Sequence, residues 1–209
     1  TRPKKPKPIF EATMPKARHW TSHPTAAAWK KEAKEAAQRA GVSYDEAYKT
    51  MRSFTGSSYR AMRAAQKGKD YDGNPVNDPS MKRRMDNLQK LFEEMPGFNI
   101  GEGKYLTRKE AWKDSKSKTD FWKMLDHAVQ SGEPLPPWGA LSSSSTNPGM
   151  WSGALQYRFF GRVTGVSVAN VSASGAGEAE VMMSGRQRLI VRKWWKEGDT
   201  TIVEVEEYH

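Results

Sequence analysis

Hydrophobic positions along this chain change their period once, between Gly132 and Gly139: helical spacing comes before, and short alternating runs come after. Ala26 to Arg39 is rich in Ala, Lys, Glu and Gln, all strong helix formers, and Gly41 punctuates its end. Ser43-Tyr44-Asp45-Glu46 has the form of a capping box, with Ser43 capping and Glu46 reaching back, and opens a short helix that ends near Phe54. Thr55-Gly56-Ser57-Ser58-Tyr59 predicts a turn into a third helix, and the Gly- and Asp-rich stretch Lys67 to Pro79 a loop. Met81, Met85, Leu88, Leu91, Phe92 and Met95 then recur at helical spacing until Pro96-Gly97, a stripe that reads as core. Lys104 to Thr107 predicts a short strand, after which Thr107-Arg108-Lys109-Glu110 has the form of a second capping box. Phe121, Met124, Leu125, Ala128 and Val129 mark the apolar face of a last helix, closed by Ser131-Gly132.

The second half predicts strands over Ala140–Ser144, Leu155–Phe160, Val163–Val171, Ala179–Met183, Arg188–Trp195 and Thr201–Glu207, with hairpin turns at Ser184-Gly185 and Gly198-Asp199. Helices first and strands later argue an α+β domain over residues 25–209, its helical part about 25–132 packed on a mostly antiparallel two-sheet β-sandwich about 139–209. Residues 1–24 combine proline and positive charge without an apolar period and read as a flexible basic arm, either a solvated leader or a contact for nucleic acid.

Composition narrows the chemistry. The 34 basic and 24 acidic residues give a net charge of +10, which favours acidic partners such as nucleic acid, acidic proteins or a phosphate-bearing cofactor. The absence of cysteine removes disulfides, thiolate metal sites and thiol nucleophiles. The four histidines, His19, His23, His127 and His209, have no metal-ligand spacing and read as surface or satisfied side chains, so no metal is expected. No apolar run is long enough for a membrane span and no signal-peptide pattern appears, so a soluble chain without membrane contact is expected.

The richest segment is Gly175-Ala176-Gly177-Glu178-Ala179-Glu180-Val181-Met182-Met183, a small-residue loop that runs into an apolar strand. In a strand, Glu178 and Glu180 would share a face while Ala179 and Val181 turn to a core. The same Glu-x-Glu pattern also decorates the wet face of ordinary half-exposed strands. Gly175-x-Gly177 lacks the third glycine and the setting of a dinucleotide-binding fingerprint, and there is no P-loop.

Four segments, in order, resemble the mono-ADP-ribosyltransferase family, in its Arg-Ser-Glu branch of bacterial toxins and phage enzymes. Phe54-Thr55-Gly56-Ser57-Ser58-Tyr59-Arg60-Ala61-Met62-Arg63 resembles the helical element that precedes the family's catalytic core; Tyr105-Leu106-Thr107-Arg108 stands in the place of the first-strand arginine; Leu141 to Pro148 resembles the hydrophobic-x-Ser-Thr-Ser motif, with Ser143-Ser144-Ser145 in its serine places; and Glu178 to Val191 resembles the Glu-x-Glu strand, its turn and a following hairpin strand. Lys109 departs from the glycine usual after the arginine.

The resemblance implies NAD as co-substrate, bound by Arg108, Ser143, Ser145 and Glu180, and catalysis by Glu180, Glu178 and Ser143. Arg108 would hold the pyrophosphate, Glu180 the nicotinamide ribose, Ser143 the Glu180 carboxylate, and Ser145 the strand. Glu178 would face the acceptor, where a carboxylate implies arginine on a host or target protein. Trp151, Tyr157, Phe159 and Phe160 are candidates to stack on nicotinamide, with strand packing the alternative, and Trp194-Trp195 reads as sheet packing or a partner contact. A host or target-cell cytoplasm, with delivery from a phage particle or a secretion system, would fit. Two other readings stand beside this one: a basic structural or nucleic-acid-binding phage protein with an inactive transferase fold, and a transferase that acts on nucleic acid.

Overall fold

The computed structural model describes residues 18–19 and 23–208. The basic arm expected over 1–24 lies mostly outside them; of its residues, His23 and Pro24 are hydrogen-bonded to the body of the domain.

Helices α1 (Ala26–Ala40), α2 (Tyr44–Ser53), α3 (Tyr59–Lys67) and α4 (Pro79–Glu94) form one layer. Their ends follow the sequence signals. Thr25 accepts a bond from the Ala28 N–H, and Gly41, at φ 68°, closes α1 in the left-handed region that glycine enters without penalty. Ser43 caps α2 by accepting from the Glu46 N–H. Glu46 does not reach back; its carboxylate pairs with Arg83 of α4 at 2.9 and 3.2 Å, so only half of the capping box forms. Between α2 and α3 the chain makes a π-helical turn, Phe54–Ser58, broken at Gly56.

The methionine and leucine stripe of α4 is core, as its spacing predicts. Met85, Leu88, Leu91 and Phe92 pack with Trp29, Met51, Phe54 and Met62, and against Leu141, Val166, Val168 and Met182 from the strand-rich half.

The strands are β1 (Arg18–His19), β2 (Phe98–Asn99), β3 (Leu106–Glu110), β4 (Ser142–Ser145), β5 (Leu155–Phe160), β6 (Arg162–Val163), β7 (Gly165–Ser167), β8 (Glu180–Met183), β9 (Leu189–Glu197) and β10 (Thr200–Glu207). They make a small sheet, β1-β2-β6, and a seven-stranded sheet in the order β7-β8-β4-β3-β5-β10-β9, antiparallel except for β5 beside β10. Helix α5 (Ser115–Ser131), capped by Asp114, packs against β9 through Leu125 and Trp122 of a second core cluster with Tyr157, Phe159, Val203 and Val205. The architecture is therefore the expected α+β one. No described helix is long and apolar enough to cross a membrane.

Two local expectations fail. Thr107 to Glu110 is strand, not a helix start: five residues of β3 pair with β5, and the ladder takes up the backbone groups that a helix would have used. Ser184-Gly185 is not a hairpin turn, because β9 lies at the far edge of the sheet from β8 and pairs with β10. The chain instead runs beside the segment before β4, with the Gly139 N–H donating to the Gly185 carbonyl and the Leu135 N–H to the Leu189 carbonyl, and Gly185 lies so close to the Ala140 backbone that a Cβ would stand 2.4 Å from its nitrogen. The Gly198-Asp199 hairpin forms as expected between β9 and β10.

Candidate active site

β3 and β4 are joined by a single residue pair, Thr107 with Ser145, and the predicted site residues gather on this seam. β4 is four serines. Small side chains let neighbouring groups approach, and strand alternation divides their tasks. Ser144 donates to the Val181 carbonyl at 3.1 Å and so binds β4 to β8. Ser143 donates from its hydroxyl to Glu180 Oε1 at 2.5 Å. Ser145 donates to the Glu178 carbonyl at 2.6 Å and accepts from the Asn147 N–H at 2.9 Å, supporting the turn before β8.

Glu180 opens β8 opposite Ser145 and is only 3% exposed. Its second oxygen accepts from the Ser172 hydroxyl at 3.2 Å, a partner the sequence reading did not identify. Burial pushes the carboxyl up to about 7, reinforced by the nearby Glu178 charge and opposed by the Ser143 and Ser172 bonds. The group is therefore a buried carboxylate poised near neutrality.

Glu178 does not share a strand face with Glu180. It ends a short 3-10 turn, Ala176–Glu178, and Ala179 follows in the left-handed region at φ 45°. A non-glycine residue there carries backbone strain, held by the Ser145 bond on one side and the Thr146 N–H to Ala179 carbonyl bond on the other. The Glu178 carboxylate is half-buried and has no hydrogen bond or ion pair among the described residues. The segment leading to it is tied down rather than loose: Arg52 donates to the Val171 and Ser172 carbonyls at 3.0 Å, the Ala173 N–H donates to Thr55, and Ser174 bonds the Thr55 carbonyl. The π-turn between α2 and α3 is thus the seat of this loop.

Across the seam, Arg108 projects from β3. Its Nε donates to Glu110 at 2.8 Å, its Nη1 to the Ser143 carbonyl at 2.9 Å, and its guanidinium lies 5.3 Å from the Trp138 ring centre. Two cations join it from α3. Arg63 and Lys67 stand four residues apart on one helix face. Arg63 donates to the Leu141 carbonyl at 2.9 Å and is pushed down to about 10 by burial and the Arg108 charge. Lys67 is pushed down to about 8 by partial desolvation, then by Arg63 and, more weakly, Arg108. Glu110 offsets all three and no other carboxylate among the described residues is placed to do so, and the cluster therefore carries surplus positive charge, with Arg63 part-buried and Lys67 open to solvent. Such a group of cations fits a polyanion. The +4 spacing of Arg63 and Lys67 was the available sequence signal; Glu110 and Trp138 had none.

Of the aromatic candidates, Tyr157 and Phe159 are buried in the core and Phe160 packs on Tyr105. Trp194 stacks on Trp122, so it serves sheet packing. Trp151 is the exposed one near the serine strand, at φ 57°, its carbonyl and that of Pro148 held by Lys109 Nζ at 3.3 and 3.1 Å.

No family model matches the chain, and no curated protein matches it in sequence. Solved structures do match in shape. HopU1 of Pseudomonas syringae pv. Tomato, an ADP-ribosyltransferase, aligns at TM-score 0.57 and 12% identity over 86% of this chain and 82% of its own. C3stau2 from S. aureus, solved with NAD, aligns at TM-score 0.52 and 12% identity over 90% of this chain and 98% of its own. The ADP-ribosyltransferase Vis, solved in complex with agmatine, aligns at TM-score 0.53 and 13% identity over 90% of this chain and 88% of its own. These matches, each over most of both chains, give this chain the ADP-ribosyltransferase fold.

Proposed function

We propose that the protein is an NAD-dependent mono-ADP-ribosyltransferase and that its acceptor is an arginine side chain of a target protein. The observation that carries this reading is Glu180, a buried carboxylate held by two serine hydroxyls, beside a second carboxylate, Glu178, that is unpaired among the described residues, and across a seam from three cations.

The residues fit the substrate. Arg108, Arg63 and Lys67 offer the charge and donors that a pyrophosphate requires. Trp151 offers an exposed ring to the nicotinamide end. As the C1′–N bond to nicotinamide breaks, its electron pair leaves with nicotinamide and positive charge develops on the ribose. A fixed carboxylate in a sheltered site stabilises that charge, and Glu180 is placed to do so, with Ser143 and Ser172 orienting it. Glu178 then receives the acceptor. A guanidinium is a poor nucleophile while protonated, and the Glu178 carboxylate both aligns it and takes its proton as the new C1′–N bond forms. Vis binds agmatine, a guanidine of the same chemical kind as the arginine side chain.

The test is nicotinamide release and transfer of labelled ADP-ribose from NAD to lysate proteins and to agmatine. Glu180→Gln should abolish both, and Glu178→Gln should keep nicotinamide release while losing guanidine labelling. Absence of NAD cleavage by the wild-type protein refutes the reading, and labelling of nucleic acid in preference to agmatine refutes the acceptor.

A further inference from the structure

The segment before α1 supplies a side chain to the back of the site. His23 Nδ1 lies 2.6 Å from the Ser167 hydroxyl and its Nε2 lies 3.2 Å from the Thr146 hydroxyl. Ser167 ends β7, Thr146 follows β4, and the strand between β7 and β4 is β8. The imidazole therefore bridges the two neighbours of the strand that Glu180 opens.

Register shows where the bridge acts. Ser167 and Ser144 both pair with Val181, while Ser145 pairs with Glu180, so Ser167 and Glu180 point to opposite faces. The backbone at Glu180 is held from the same two strands: the Val168 N–H donates to the Glu180 carbonyl at 2.9 Å, and the Thr146 N–H donates to the Ala179 carbonyl at 3.2 Å. Residues 146 and 168 are thus the pair that grips the strained Ala179 turn, and His23 ties Thr146 to the residue before Val168.

Burial lowers the His23 pKa and favours the neutral ring, with one donor and one acceptor nitrogen. Two hydroxyls, each able to donate or accept, match that ring in either tautomer. Pro24 adds a further tie, its carbonyl accepting from Asn170 at 2.7 Å, and Thr25 then caps α1.

We propose that His23 is a positioning residue that clamps the strands flanking β8 from behind and so fixes the Glu178-Ala179-Glu180 turn for transfer. The inference rests on the reading of Glu178 and Glu180 as the reacting carboxylates. It assigns the segment before α1 a part in activity that neither its sequence nor its distance along the chain indicates.

The experiment is a double-mutant cycle on nicotinamide release, with His23→Ala, Thr146→Val and both together, and with NAD affinity measured separately. Each single variant should lower kcat by roughly tenfold with NAD affinity within about twofold of wild type, since the bridge sets geometry and not contact with NAD. The double variant should fall little further, because both changes cut one connection. His23→Gln, whose amide reaches the Nε2 position, should recover most of the rate. Unchanged kcat in His23→Ala, additive losses, or a fall in NAD affinity that accounts for the whole effect would each overturn the proposal. A wild-type protein that cleaves no NAD would instead overturn the reading on which it rests.

Discussion

Glu180→Gln should stabilise the folded protein while it abolishes activity, and the size of the gain follows from the burial of the carboxylate. The carboxyl moves from 4.5 to about 7 on folding. At 1.36 kcal/mol per tenfold, the ionised group burdens the folded state by roughly 3 kcal/mol relative to the unfolded chain once the pH is well above 7. Because the folded value is the higher one, the group's favourable contribution is complete below about 4.5 and is lost as the pH rises through about 7. Glutamine removes the charge and keeps an oxygen to accept from one serine and an amide to donate to the other. The variant should therefore gain roughly 2–3 kcal/mol at pH 8.5, about 5–10 °C in Tm for a domain of this size, and under about 1 kcal/mol at pH 5. Thermal unfolding of both proteins at the two pH values is the assay. A gain of equal size at pH 5 and 8.5 would refute the argument, and so would no gain at either.

The pH profile should have two limbs of different origin: kcat/KM rises through about 7 as Glu180 ionises, and NAD affinity weakens above about 8 as Lys67 loses its proton, so Lys67→Arg should extend the plateau upward. An unchanged alkaline limb in Lys67→Arg would remove that lysine from the binding site. Arg108→Lys cannot reproduce the fork shared between Glu110 and the Ser143 carbonyl, and NAD binding by calorimetry should weaken by roughly tenfold or more; near-native affinity would refute its role. Gly185→Ala would put a Cβ 2.4 Å from Ala140 N and 2.5 Å from its carbonyl carbon, both backbone atoms that cannot swing aside. It should destabilise by roughly 2–3 kcal/mol in urea melts, and an unchanged midpoint would show that the approach of Gly185 to Ala140 is not tight.

What could be read from the sequence was whatever repeats along one element. The helices α1, α4 and α5 declare themselves by period and cap, and Leu155–Phe160 is found with its bounds unchanged. The misreadings occur where a residue serves a distant partner. β3 carries Thr, Arg, Lys and Glu in a row, so its sequence looks like a capped helix, yet Arg108 and Glu110 are polar because they face the seam. Glu178 looked like a strand residue because spacing alone cannot reveal the left-handed Ala179 that turns it away from Glu180. Ser172, Arg63 and Lys67 reach the site through the packing of α2 and α3 against the sheet, and beyond the +4 spacing of Arg63 and Lys67 no local pattern encodes that.

The same seam collects several features that oppose folding: a buried carboxylate, three cations offset by Glu110, and non-glycine residues at positive φ at Ala179 and Trp151. Each is individually unfavourable, and neighbours hold it in place, such as Ser172 for Glu180 and Lys109 for the Trp151 loop. A dinucleotide pyrophosphate would relieve the cation repulsion, and a guanidinium beside Glu178 would relieve the carboxylate pair. The two halves of the site are thus each other's electrostatic opposites, one completed by an anion and the other by a cation. A nucleic-acid acceptor would bring phosphate to Glu178 and Glu180 and worsen the second imbalance, whereas an arginine acceptor resolves it. The charge arrangement therefore supports the proposed protein acceptor even though the chain as a whole carries +10.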